Sequence, residues 1–187
     1  MRINGAAAPP RLLWYSNTTI GPGMSHRRQV SRALDDEHRA NLDLLGRVEQ
    51  AFARAGRADG GNGPDLARLA GELARHLEGD VARHFDFEER ELFPRMADAG
   101  DGGMAALLTE EHDAIRAVAL ELLPLARAAA GGTLDHSGWG ALKRGAQELV
   151  ERQVAHIQKE TMALLPLLDD LLDEDADREL AFTYAAG

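Results

Sequence analysis

The 187-residue chain contains no cysteine. Disulfides, thiolate metal sites and thiol redox chemistry are therefore excluded, and a reducing compartment, the cytoplasm, is the expected location. Basic residues are also scarce: 21 Lys and Arg against 31 Asp and Glu leave a net charge of −10. A nucleic-acid partner is not expected, because its binding needs a basic patch or stripe and only the short His26-Arg27-Arg28 comes near one. No apolar run reaches the length of a transmembrane helix, so no membrane partner is expected either. β-Branched residues and aromatics are few and period-two alternation is missing, which leaves little basis for strands.

Ala, Leu, Arg and Glu dominate instead, and these are strong helix formers. Three Gly-rich breaks, AGRADGGNGP, DAGDGG and AGGTLDHSG, have loop composition and divide the body into four segments. Each segment carries a helical apolar stripe. Val30, Leu34, Leu42, Leu45, Val48 and Phe52 mark the first, and Leu164, Leu167 and Leu171 close the fourth. Four amphipathic helices with short links predict an all-α, up-down-up-down four-helix bundle over residues 25–172. Residues 1–24 read as a disordered leader or an over-extended start, with Met24 as the second candidate start. Residues 173–187 read as an acidic tail, from which Phe182 and Tyr184 can fold back onto the bundle. Pro94, Pro124 and Pro166 fall late in helical patterns, where kinks or ends are expected.

Two stretches carry the chemistry. HFDFEERELFP begins at His84 and HIQKETMALLP at His156, and each has a Glu four residues after its His and a Pro six residues after that Glu. A spacing of four residues amounts to about 40° of rotation and about 6 Å of rise, so each His-Glu pair projects from one helix face. His38 and His112 fill gaps in the stripes of the first and third segments, each preceded by Glu. His112 follows His38 by 74 residues, and His156 follows His84 by 72. The chain therefore reads as one hairpin written twice.

Burying four His and two Glu without compensation is unfavourable, since an unpaired buried carboxylate costs several kcal/mol or takes up a proton. A pair of divalent ions resolves this. His38, His84, Glu88, His112, His156 and Glu160 suit two metals, with two His on each and both carboxylates bridging. Iron, manganese and zinc all accept these donors. Of the remaining polar residues, His76 is expected at the surface or behind the ligands, and His26 and His136 in solvent. Glu89 and Glu91 are expected to be solvated. Glu37 and Glu111 point away from the ligands they precede. Asp35, Asp36, Glu110 and Glu111 are candidates to hold the outer ring nitrogens. Trp139 is expected to open the fourth helix as a packing residue.

The order His, HxxxE, His, HxxxE resembles the hemerythrin-like (HHE cation-binding) family. The resemblance rests on His38, the run from His84 to Pro94, Glu111-His112, and His156 to Glu160. It implies a di-iron centre in a four-helix bundle and a small diatomic or peroxide ligand. Oxygen-carrying members have a fifth His one turn from the third-helix ligand, where this chain has Leu108 and Arg116. Four His and two Glu make a more symmetric, more open site. The expected function is binding or reduction of dioxygen, peroxide or nitric oxide. The alternatives are an iron- or oxygen-responsive sensor acting through a protein partner, and a metal-free structural bundle.

Overall fold

A computed structural model of the protein describes residues 26–55 and 63–187. The leader expected at 1–24 and most of the first Gly-rich break lie outside the described residues. The fold is all-α, with no strand among the described residues. Four long helical runs make up the body. The first is α1 (Gln29–Ala55). The second comprises α2 (Pro64–Arg75), α3 (Val81–Phe87) and α4 (Phe93–Met96), joined by π turns at His76–Asp80 and Glu88–Leu92. The third is α5 (Gly102–Ala130). The fourth comprises α6 (His136–Lys159) and α7 (Leu165–Leu171), joined by a π turn at Glu160–Leu164. A final helix, α8 (Glu174–Ala186), packs on α1.

The links follow local chemistry. Between α4 and α5 the chain turns at Gly100, whose φ of 99° is left-handed backbone that suits glycine. Asp135 caps α6 by accepting from the Gly138 N–H at 2.7 Å. Gly145 sits where α6 meets α5. A Cβ there would lie 2.8 Å from Leu122 Cδ1, so the missing side chain permits the close approach.

Two prolines leave a clear mark. The π turn at Glu88–Leu92 ends just before Pro94, and the one at Glu160–Leu164 just before Pro166. In each, an amide bonds to a carbonyl five residues back: Phe93 to Glu88, and Leu165 to Glu160. A widened turn ahead of the proline relieves the crowding that its ring brings to the preceding turn. Each π turn adds a residue and moves the apolar stripe by one position. Between Glu160 and Asp173 the buried residues are Leu164, Leu165, Leu168 and Leu172, while Leu171 is exposed and Leu167 only half-buried. The straight helical spacing Leu164, Leu167, Leu171 is corrected accordingly. Pro124 neither ends nor divides α5.

The core is split in two. One apolar cluster gathers Leu45, Phe52, Leu73, Ile115, Trp139 and Leu149, with Trp139 edge-on to Phe52. The other gathers Leu34, Leu92, Met96, Leu108, Leu165 and Tyr184. Between them lies a layer of buried polar side chains.

The segment expected to be an acidic tail is instead a capped helix. Asp173 accepts from the Ala176 N–H and starts α8. Asp177 then accepts from the Gln29 and Val30 N–H groups at 2.9 and 3.0 Å, satisfying free amides at the start of α1. Tyr184 is buried at 7 % exposure, whereas Phe182 is 76 % exposed, so only the tyrosine folds back.

Candidate metal centre

The polar layer brings together all six residues singled out by spacing. Their donor atoms form two groups, His38-His84-Glu88-Glu160 and His112-His156-Glu88-Glu160, each with its atoms within 4.8 Å of one another. The two carboxylates belong to both groups. Glu88 places Oε1 3.2 Å from His84 Nε2 and Oε2 3.4 Å from His112 Nε2. Glu160 places Oε2 3.2 Å from His38 Nε2 and Oε1 3.0 Å from His156 Nε2. Within the pairs, the Nε2 atoms are 3.3 Å apart for His38 and His84 and 3.0 Å apart for His112 and His156.

Both carboxylates are 0 % exposed, and the groups facing their four oxygens are the imidazole nitrogens of the cluster. Left so, each is a costly buried charge. Four imidazole nitrogens converging on four carboxylate oxygens are a donor set that divalent cations satisfy, so the residues present fit a metal pair. Without a cation, protons take up part of that role. Burial disfavours charge on His112, yet Glu160 and Glu88 outweigh it and raise its pKa to about 9. Burial likewise opposes charge on His84, and the fields of Glu88 and Glu37 overcome it and raise its pKa. Burial would raise the pKa of Glu160, but His156, His112 and His38 hold it low.

Three of the four outer ring nitrogens are held by a carboxylate from the neighbouring helical run. Glu89 lies 2.7 Å from His112 Nδ1 and is itself bound by Arg116 at 2.7 Å. Glu111 lies 3.0 Å from His156 Nδ1 and 2.7 Å from Lys159. At His84 Nδ1 stand the Tyr184 hydroxyl at 3.0 Å and Glu37 at 3.4 Å. The Tyr184 hydroxyl donates to Glu37. Burial pushes the Glu37 carboxyl up, but His84, Tyr184 and Arg83 bring it down to about 2. Burial and Glu37 together raise the Tyr184 phenol, which stays protonated.

One rule covers the three carboxylates: each sits beside a cluster residue on its own helical run and serves the His of the next. The fourth place belongs to Thr161, which follows Glu160 as Glu89 follows Glu88. Thr161 has no carboxylate, and His38 Nδ1 is buried without a hydrogen-bond partner. The expected symmetry therefore holds for the inner donors and fails for their outer partners.

Other expectations change too. Glu89, expected in solvent, holds a histidine. Of the four proposed holders only Glu111 serves: Asp35 and Asp36 pair with Arg39, and Glu110 is exposed. His76 is buried and faces Gln153 Oε1 at 3.4 Å. His26 is buried against Asp169 at 3.4 Å, whereas His136 is exposed as expected. Aromatic rings shield the cluster: Phe85 stacks on His112 at 3.7 Å between centroids, with Phe93 at 5.2 Å.

The hemerythrin HHE cation-binding domain matches residues 29–168, about three-quarters of the chain. The chain belongs to this family. No curated protein matches it. The HHE match ends before α8, so the helix that carries Tyr184 lies outside it. Among the described residues, no helix of this hemerythrin-family chain is long and apolar enough to cross a membrane.

Proposed function

We propose that this protein is a cytoplasmic, non-haem di-iron protein, an up-down-up-down bundle that binds or reduces a small oxidant: dioxygen, peroxide or nitric oxide. The observation that carries this reading is the sharing of Glu88 and Glu160 between two histidine pairs. His38 and His84 would hold one ion, His112 and His156 the other, with both carboxylates spanning them. Iron suits the reaction class, and manganese or zinc suits the donors. Iron held there would supply electrons and a binding point for the guest.

The chain's own residues do the rest. Glu89 and Glu111 accept the outer imidazole protons of His112 and His156, which fixes Nε2 as the inward lone pair. Tyr184 does the same for His84. Phe85 and Phe93 keep bulk water from the His112 side. Stopped-flow mixing of the diferrous protein with each of the three oxidants tests the proposal. A spectral change with at least one is expected, and no change with any would overturn it.

A second reading, a sensor acting through a protein partner, draws on Tyr184. The tyrosine ties α8 to His84, so metal occupancy of the His38/His84 pair would be linked to docking of α8. Equal protease sensitivity of α8 with and without metal would exclude it.

A further inference from the structure

A small cavity of about 10 Å³ opens beside His38, His84, His156 and Glu160, room for one water-sized guest. Apart from the His and Glu of the cluster, its lining is apolar but for two amides, Asn41 and Gln153. The internal repeat gives these two positions meaning. Asn41 follows His38 by three residues, and three residues after His112 stands Ile115. Gln153 precedes His156 by three residues, and three residues before His84 stands Val81. Each amide therefore replaces an aliphatic residue of the sister hairpin, and both amides face the same cavity.

Gln153 is also oriented. It is buried, and its Oε1 faces His76 Nε2 at 3.4 Å. With Oε1 against His76, the NH₂ is the end left to serve the cavity, and an amide NH₂ only donates. His76 lies in the π turn His76–Asp80, which no proline follows as Pro94 follows Glu88–Leu92 and Pro166 follows Glu160–Leu164. The widened turn places a buried imidazole behind the amide, and such turns recur at functional sites.

We infer that Asn41 and Gln153 are hydrogen-bond donors to the guest, with His76 as the residue that positions Gln153. They favour a small guest with an acceptor atom pointing away from the metals, and they make one side of a duplicated site polar. The inference rests on the proposed di-iron reading and names the residues that discriminate among its guests.

Nitric oxide on the diferrous protein is the probe. Two quantities are read: its dissociation constant, and its N–O stretching frequency by infrared spectroscopy, which responds to a hydrogen bond and not to fold stability. Loss of one hydrogen bond predicts affinity about five- to tenfold weaker in Gln153→Met and in Asn41→Leu, with the stretch shifted in both. His76→Phe shifts it in the same direction by less. Iron per chain is measured in every sample and is expected to equal the parent's. Asn41 is half-buried, so its variant does not depend on repacking a tight core. Unchanged stretch and affinity in both amide variants, at parental iron content, overturns the inference alone. Failure of the unmodified chain to take up iron overturns the di-iron reading and this inference with it.

Discussion

The hydroxyl of Tyr184 lies 3.0 Å from Nδ1 of His84, across 100 residues of sequence. It donates to Glu37 and so has a lone pair to offer the imidazole N–H. Outer partners of metal-bound histidines typically contribute 10–100-fold in affinity. Tyr184→Phe is therefore expected to weaken one of two metal-binding steps about tenfold and to leave the other near its parental value. Titration of the metal-free protein with cobalt(II), followed by visible absorption, checks this.

The His38/His84 and His112/His156 pairs differ in the same currency. Two Glu, each backed by a cation, support the second pair, whereas His38 Nδ1 has no hydrogen-bond partner. Thr161→Glu is expected to strengthen the weaker step about tenfold by restoring the missing carboxylate. Unaltered affinity would show that a carboxylate at this position does not reach His38.

Helix α8 is expected to stabilise the whole bundle through Asp177. Its carboxylate accepts from two amides that open α1. Asp177→Ala should lower stability by about 1–2 kcal/mol, in the range of a lost N-cap. Urea denaturation of the metal-free protein isolates the effect from metal binding.

Acid should loosen the opposite contact of the same helix start. Burial would raise the Asp169 pKa, but the amides of Arg27 and Arg28, the Ser31 hydroxyl and His26 hold it below its ordinary value. A depressed folded-state pKa contributes stability that is present above the unfolded value and is lost as pH falls through the folded one. Asp169→Asn should therefore reduce stability at neutral pH and flatten its decline on the acid side. Melting temperatures measured from neutral pH down into the acid range, for both proteins, check the sign.

Metal removal should destabilise the fold, because Glu88 and Glu160 then stay buried with only protons to compensate them. A ligand at about 100 times its dissociation constant stabilises by about 2.7 kcal/mol. For a chain of this size that corresponds to about 5–10 °C in Tm. Calorimetry before and after chelation measures it.

The helical class and the six clustered residues were legible because each rests on local spacing. His84 to Glu88 and His156 to Glu160 are single turns, and the repeated order of His and Glu brings them to one layer. The partners of the outer nitrogens were less legible because they cross between helical runs. Glu37 adjoins His38 in sequence but faces His84, and Glu89 adjoins Glu88 but faces His112. Periodicity within one helix carries no such information. The π turns were half visible: Pro94 and Pro166 announced a break, but not that it would take the form of an inserted residue. Past that insertion Leu168 is buried in place of Leu167, and Leu171 is exposed. The acidic stretch from Asp173 read as a tail, yet acids at a helix start are stabilised by its dipole, and the segment folds as α8.

The central claim is that Glu88 and Glu160 hold two ions between two histidine pairs. Metal content per chain after anaerobic purification, measured beside a His84→Ala/His156→Ala variant of equal helicity, tests it most directly. The account predicts about two irons per chain in the parent and a loss of stoichiometric metal in the variant. No stoichiometric metal in the parent, with the variant folding equally well, would contradict it.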